Sequence, residues 1–211
     1  MLYNKFSYIY PPRPKSAAPI CDICKYDNNS MISQVKVNGS NSEIYTNGKE
    51  FYVYNRHGEK LTNFNLNKEE ILDNLYNLPN NKWLCINSEY LNKNKNDENG
   101  NSFNHKLIIF DILVYDSDYL LNSTFEDRIK LLDDLYGKKD SEKEYLYSIS
   151  ENIYRVKTYE NGFMNLYNKY SKIDIIEGLI LKRKKGRLEI GKEPCNKQQI
   201  KFRKPTKNYQ F

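Results

Sequence analysis

At six places in this 211-residue chain a charged side chain, or an aromatic beside one, lies inside a stretch otherwise suited to the interior of a β-sheet. Lys36 stands between two valines in "QVKVNGSN", Arg56 ends a hairpin in "YNRHG", and Glu89 sits in "INSEYL". Phe110 and Asp111 share "IIFDIL", Glu177 and Lys182 share "IIEGLILK", and Lys201 and Arg203 share "IKFRK". A charge in an apolar strand needs a partner or a job. This set offers an amine, carboxylates and a guanidinium, the residue types of nucleophilic, cation-binding and anion-binding chemistry. The amine is inert while protonated, so using it requires desolvation and neighbouring cations.

Taken singly, each residue has an ordinary reading. Lys36 is one of 33 Lys and Arg, most of which must face solvent, and a lone K-x-x-G means little. Glu89 alone is a strand-edge acid, Phe110 a core aromatic, Arg56 a hairpin-end charge and "KRKK" at 182–185 a solvated turn. His57 and His105 read as surface or loop histidines. Order and spacing along the whole chain must decide.

The elements that would carry these residues are legible. "YPPRPKSAAP" is proline-rich and runs extended, so residues 1–30 read as a strapping segment ahead of a domain over 31–211. "SQVKV" and "SEIYT" are short strands, and Asn47-Gly48 marks a two-residue hairpin between "SEIYT" and "EFYVYN". "NKEEILDNLYNL" spaces Ile71, Leu72, Leu75 and Leu78 for an amphipathic helix. "KWLCINSEYL" and "KLIIFDILVYD" are strands around a polar loop, the second apolar enough to be central. "STFEDRIKLLDDLYG" has a cap at Ser123 or Thr124, acids in its first turn and a stop at Gly137. "IYRVKTY" is a strand, "NGFMNLYNKYSK" a helix with Phe163, Leu166 and Tyr170 on one side, and "IEGLILKRK" and "QQIKFRKP" are basic strands. Strands adjoin strands without βαβ alternation, which predicts an antiparallel α+β domain.

Composition narrows the class. The chain can bury one large core, and 19 tyrosines argue against disorder despite a mean hydropathy of −0.82. The richness in Asn, Lys, Ile and Tyr is that of an AT-rich coding sequence, which raises the expectation of a viral or AT-rich bacterial source. No apolar run could span a bilayer and no signal core opens the chain, so the expectation is a soluble, cytoplasmic protein with no membrane partner. Of Cys21, Cys24, Cys85 and Cys195, only the first two are close enough to form a C-x-x-C, so reduced thiols are expected rather than zinc. A net charge of +6 suits a polyanionic partner.

In register, the six places resemble the covalent nucleotidyltransferase superfamily of ATP-dependent DNA ligases, RNA ligases and mRNA capping enzymes. Those proteins carry K-x-[D/N/H]-G, R-x-G after a hairpin, a strand Glu, F-D-[IV], E-G-[LIVY]-[VI]-x-K and a final K-x-K. The resemblance spans 34–204 and implies an adenylation domain of antiparallel sheets flanked by helices. It makes Lys36 the nucleophile that takes AMP from ATP, with Lys182 and Lys201 near enough to lower its proton affinity and to stabilise charge on the α-phosphate. Gly39 would let backbone approach the nucleotide. Gln34 would accept from the adenine amine, Phe110 would stack on the purine, and Arg56 and Glu89 would grip phosphate and ribose. Asn41 and Arg203 join this nucleotide-binding set, although Arg203 stands where lysine is usual. Glu177 would hold Mg2+ or Mn2+.

The resemblance further implies a ligase that passes AMP to a 5′-phosphate end and seals it to a 3′-hydroxyl. "KVNGSN" ends in Asn41, as in one RNA ligase branch, whereas "VYNRHGEKL", "FDILVYD" and the "TFEDRIKLL" helix follow the DNA ligase pattern. The expectation favours RNA, with a minimal DNA ligase as the alternative. Eight residues follow Arg203, so no OB domain is expected, and phosphate contacts would fall on 182–185, Arg187, Arg203, Lys204 and Lys207 of a monomer. Two other readings are a catalytically silent nucleic-acid-binding protein and an adenylylating enzyme that needs a partner to seal. Retention of Lys36, Glu177, Lys182 and Lys201 argues against the silent one.

Overall fold

A computed structural model describes residues 1–188 and 197–205, so Cys195 and Lys207 lie outside the described residues. After a 3₁₀ helix (Ile20–Tyr26) come β1 (Met31–Val37), β2 (Ser40–Thr46), β3 (Phe51–Tyr54), α1 (Lys68–Leu75), β4 (Leu84–Leu91) and β5 (Lys106–Tyr115). They are followed by β6 (Asp118–Tyr119), α2 (Phe125–Tyr136), β7 (Leu146–Ser148), β8 (Ile153–Val156), α3 (Phe163–Tyr170), β9 (Ile176–Arg183) and β10 (Gln199–Arg203). The strands form two sheets: a small one ordered β1-β9-β10 and a large one ordered β3-β2-β4-β5-β8-β7, with β6 on β5.

Local chemistry explains most element boundaries. Thr124 and Asp127 form a reciprocal capping box at the start of α2, and Asn67 caps α1 through the Glu69 amide. Alternation sorts the small sheet. Met31, Val35 and Val37 of β1 join Leu179, Leu181 and Phe202 in one core, leaving Gln34 and Lys36 on the opposite face. That second face looks toward the large sheet.

Three sequence expectations need correction. The β2–β3 hairpin has a four-residue loop, because Thr46 pairs with Phe51 and the Asn47 side chain accepts from the Lys49 and Glu50 amides. The sheets are not wholly antiparallel: β8 pairs parallel with β5 after a crossover through α2. On α3 it is Tyr167, with Phe163 and Tyr170, that is fully buried, and Leu166 packs at the margin. Lys182 lies on a strand, as expected, and is buried there.

The tyrosines have a structural use. Tyr3, Phe6 and Tyr8 pack on Tyr45, Tyr52 and Tyr54 of the large sheet and on Trp83 just before β4, and Tyr45 Oη accepts from the Ile9 amide. Farther on, the Ala18 amide donates to the Lys201 carbonyl on β10. The segment between these two attachments therefore crosses from the large sheet to the small one.

Beneath the aromatic cluster lies Glu43, fully buried, with Tyr45 Oη donating to Oε2 at 2.5 Å and Oε1 without a partner among the described residues. Burial pushes its carboxyl up to about 8, against the lowering effect of the Tyr45 hydrogen bond. The folded state thus holds a proton that the unfolded chain releases near its ordinary 4.5. Stability from this group is complete below about 4.5 and is lost as pH rises toward 8, at about 1.4 kcal/mol per unit. Urea unfolding from pH 5 to 8.5 should show this decline in the native protein and not in Glu43→Gln. Parallel curves for the two proteins would mean that Glu43 ionises unhindered.

Candidate active site

The facing sheets enclose a cleft lined by Lys36, Asn41, Arg56, Glu89, Phe110 and Lys201 of the expected residues. All but Arg56, which follows β3 in a turn, lie on strands. Lys36 lies opposite Gly178 on β9, and Gly178 lies opposite Arg203 on β10, so the three share one row of the small sheet. One row on, Gln34, Ile180 and Lys201 are aligned in the same way. A register shift after Lys36 releases Glu177 from strict alternation, and its carboxylate meets the Lys36 ammonium at 3.0 Å.

Glu177 is the hub of the site. Its Oε2 accepts from Arg203 Nε at 2.8 Å as well as from Lys36. Its Oε1 accepts from the Asn38 amide nitrogen at 3.1 Å when that amide is oriented so that its oxygen faces Lys95. Burial would raise the Glu177 carboxyl, but Lys36 and Arg203 outweigh it and hold the group below its ordinary range. Glu89 behaves oppositely: burial raises it, Glu177 adds repulsion, and the attraction of Lys36 does not compensate. Lys201 is lowered by burial and then by Arg203, Lys36 and Arg56. Four cations repelling one another around two carboxylates form a place where an anion is stabilised.

Two glycines are fixed by close packing. A Cβ on Gly39 would lie 2.4 Å from the Tyr90 carbonyl oxygen, so β4 approaches its backbone closely, and its amide donates to Glu89 Oε1 at 3.1 Å. Gly178 has φ +144°, and a Cβ there would lie 2.0 Å from the Phe202 carbonyl oxygen.

The remaining expected residues stand apart. Gln34 is buried behind Phe110, donating to its carbonyl at 3.4 Å. Lys182 does not join the cleft. It lies four residues along β9 from Gly178, with its ammonium 3.2 Å from the Phe110 carbonyl and 3.7 Å from Asp111 Oδ2. Burial lowers its proton affinity to about 8, opposed by Asp111 and reinforced by Arg128. Its ammonium is held between Phe110 and Asp111, 5.0 Å from the centre of the Phe110 ring, and is buried rather than exposed. Lys184 and Lys185 are paired with Glu160 and Glu126, and Arg203 is turned inward to Glu177.

Sequence reading missed several residues that line the cleft: the strap at 11–14, Asn87, Val156, Ile180 and Gln199. Asn87 and Gln199 could have been found, since each lies two positions before a chosen residue, Glu89 or Lys201, on the same strand face. Ile180 and Phe110 enter the cleft from opposite sheets and offer two apolar surfaces for a flat ring. The strap roofs this region, with Lys201 Nζ 3.4 Å from the Pro14 carbonyl.

Among the described residues no group of three or more His, Cys, Asp or Glu side chains could hold a metal by itself. Glu177 still suits a hard cation such as Mg2+, which commonly takes one or two carboxylates and completes its shell with substrate phosphate and water. No helix among these residues is long and apolar enough to cross a membrane.

A model of the family described as "ATP dependent DNA ligase domain" matches residues 86–203, from β4 through β10 and more than half of the chain. No curated protein sequence matches. Among solved structures, "mycobacterial DNA ligase D complexed with ATP and MES" aligns with a TM-score of 0.64 at 15% identity, over 92% of this chain and 60% of that one. The ligase domain of M. tuberculosis LigD gives 0.61 at 15% identity, over 90% and 58%. A structure described as showing DNA binding with a minimal scaffold in Lig E DNA ligases gives 0.58 at 13% identity, over 93% and 70%. At such identities the likeness is one of fold, and the chain spans about three fifths of the first two. The α+β nucleotidyltransferase fold expected from the sequence is the fold found.

Proposed function

Because this chain belongs to the ATP dependent DNA ligase domain family, we propose that it joins polynucleotide ends by taking AMP onto Lys36 and passing it to a 5′-phosphate, which is then sealed to a 3′-hydroxyl. The observation that carries this reading is the Lys36 ammonium 3.0 Å from Glu177, in a cleft that also holds Lys201, Arg56 and the Phe110 ring.

The ring of a purine fits between Phe110 and Ile180, with its triphosphate toward Arg56 and Lys201. The Lys36 amine, once it has shed its proton, attacks the α-phosphorus. The new N–P bond forms as the P–O bond to the β-phosphate breaks, and pyrophosphate carries away the electron pair. Lys201 and Arg56 stabilise the charge that builds on the phosphoryl oxygens. Mg2+ at Glu177 would neutralise those oxygens and orient the leaving group. Glu177 has a second role before the reaction: it holds the Lys36 side chain in place by the ion pair. Arg203, bound to Glu177, orients that carboxylate rather than presenting a point charge to phosphate. In the last step the 3′-hydroxyl attacks the activated 5′-phosphate and AMP leaves.

DNA is the first substrate in this reading, supported by the family match and by the DNA ligases that share the fold. RNA is the second. It is supported by Asn41, which lies in the cleft with Oδ1 lacking a partner among the described residues and Nδ2 bound to Asn87. Four nicked duplexes that differ only in whether each strand flanking the nick is DNA or RNA decide between them. Equal or faster sealing of the all-DNA nick is the expected result. A preference for RNA on the 3′-hydroxyl side, where A-form geometry and the 2′-hydroxyl offer added contacts, would reverse the assignment.

A further inference from the structure

Between β4 and β5 the chain leaves the large sheet, and the loop it makes there brings one lysine to the Glu177 hub. The route of that loop is fixed by hydrogen bonds on both sides. The Asn96 backbone N–H donates to Asp174 Oδ2 at 3.1 Å, and the Asn96 carbonyl accepts from the Ile175 N–H at 3.3 Å. The Ile175 carbonyl in turn accepts from the Asn38 N–H at 2.9 Å. Farther along the loop Asp97 is buried, with Oδ1 accepting from the Asn99 and Asn101 backbone and Oδ2 from the Lys143 ammonium. Lys95 is held between these points with its side chain 20% exposed and its ammonium 3.7 Å from Asp174 Oδ1. The same ammonium lies 2.7 Å from the Asn38 side-chain oxygen, and the Asn38 side-chain nitrogen lies 3.1 Å from Glu177 Oε1.

We propose that Lys95 is a positioning residue for nucleotidyl transfer, acting through the Asn38 side-chain amide to hold the Glu177 carboxylate. This rests on the transfer reading above, in which Glu177 steadies the Lys36 amine. The two ends of a carboxamide have the same shape and opposite polarity, so shape alone does not orient Asn38. Its charged neighbours do. With oxygen toward Lys95 and nitrogen toward Glu177, both contacts attract. Turned over, an oxygen would face the carboxylate and an NH2 group the ammonium, and both contacts would repel. The cation on the amide oxygen also polarises the group and strengthens the bond that its N–H makes to Glu177. Oε1 is then held by Asn38 while Oε2 is held by Arg203 and Lys36. Holding both oxygens fixes the carboxylate plane and with it the place of the Lys36 amine. A carboxylate at position 38 could not do this, because it has no proton to donate and would repel Glu177. Lys95 is not among the residues lining the cleft, so its effect is assigned to Asn38 rather than to contact with nucleotide.

The test is a double-mutant cycle on the rate of chain labelling with Mg2+ and saturating α-labelled ATP. Lys95→Met should label about tenfold more slowly than the native chain. Lys95→Arg, which keeps the cation, should recover most of that loss. Asn38→Ala should be slowed at least as much as Lys95→Met, and adding Lys95→Met to Asn38→Ala should change nothing further. Calorimetry in EDTA, where no transfer occurs, should give Lys95→Met the native affinity for ATP. Losses that multiply in the double variant, or an ATP affinity that falls with the rate, would place Lys95 on the nucleotide itself and overturn the inference. A second readout needs no nucleotide: the 15N NMR signal of the Asn38 side-chain NH2, assigned by its disappearance in Asn38→Ala. Lys95→Met should shift both of its proton resonances and speed their exchange with solvent, and unchanged resonances overturn the inference. A protein that shows this shift yet takes no label in the native chain keeps the linkage through Asn38 and loses the transfer reading. One in which Lys95→Met labels at the native rate keeps the transfer reading and loses the role of Lys95.

Discussion

Lys36→Ala is expected to fold normally and to take no nucleotide onto the chain. The native protein, incubated with Mg2+ and α-labelled ATP and then denatured, should carry an acid-labile label, and the variant should fall at least about a thousandfold below it. The argument has two parts. No other amine can substitute: Lys201, the other lysine in the cleft, lies two strands from Lys36 with its ammonium against the Pro14 carbonyl, and Lys182 is bound to the Phe110 carbonyl beside Asp111. Loss of the Lys36–Glu177 pair also leaves Glu177 with Arg203 and Asn38, so no carboxylate is stranded. Stability should therefore change by no more than about 1 kcal/mol, and urea unfolding separates lost chemistry from lost fold. Label that persists in the variant would assign the nucleophile elsewhere.

Asp111→Ala should have the largest effect on stability. Asp111 receives Arg128 Nε at 2.7 Å and Nη2 at 3.1 Å, with the Lys182 ammonium 3.7 Å away, and both the acid and the guanidinium are almost wholly buried. Burial would raise the Asp111 carboxyl, but Arg128 and Lys182 outweigh it and keep it ionised. Removing the acid leaves two buried cations facing each other, and breaking such a buried pair costs about 3–5 kcal/mol. The effect should reach the site, because this cluster joins α2, β5 and β9 directly behind Phe110. Adding Arg128→Met to Asp111→Ala should recover part of the loss by removing the stranded charge. A single-variant loss below about 1 kcal/mol would show that water reaches the cluster and that it does not anchor the sheets.

The sequence was most readable where local rules act alone. Thr124, Asp127 and Gly137 mark α2 because caps and stops are local chemistry. Alternation put Lys36 and Gln34 on one strand face and Lys201 and Arg203 on another, and those faces do share the small sheet. Lys182 shows where this fails. It has the same parity as Gly178, yet four residues of strand separate the two by roughly 13 Å, and no pattern states how far a cleft extends along a strand. Asp111 drew notice only as the neighbour of Phe110. Its partner Arg128 lies in a helix read for its leucines, and a contact between elements leaves no periodic trace. The proline-rich segment was legible as extended, but its route over Lys201 was not, since that route is set by aromatic packing near residues 3–8 and by a backbone bond to β10.

That route has a consequence for how the protein is made. The 17–18 segment is bridged to Lys201, and the Pro14 carbonyl touches the same lysine, so residues about 185 positions apart must meet to complete the roof and wall of the cleft. Closing so large a loop is slow relative to forming the hairpins between β1 and β5. A ribosome that has released only the first 180 residues holds a chain with β1 and Lys36 but without β10, and therefore without Lys201 or the Arg203 that orients Glu177. Such a nascent chain cannot assemble the cation cluster around nucleotide. The cation cluster awaits the pairing of β10 with β9 and the contact of the strap with Lys201.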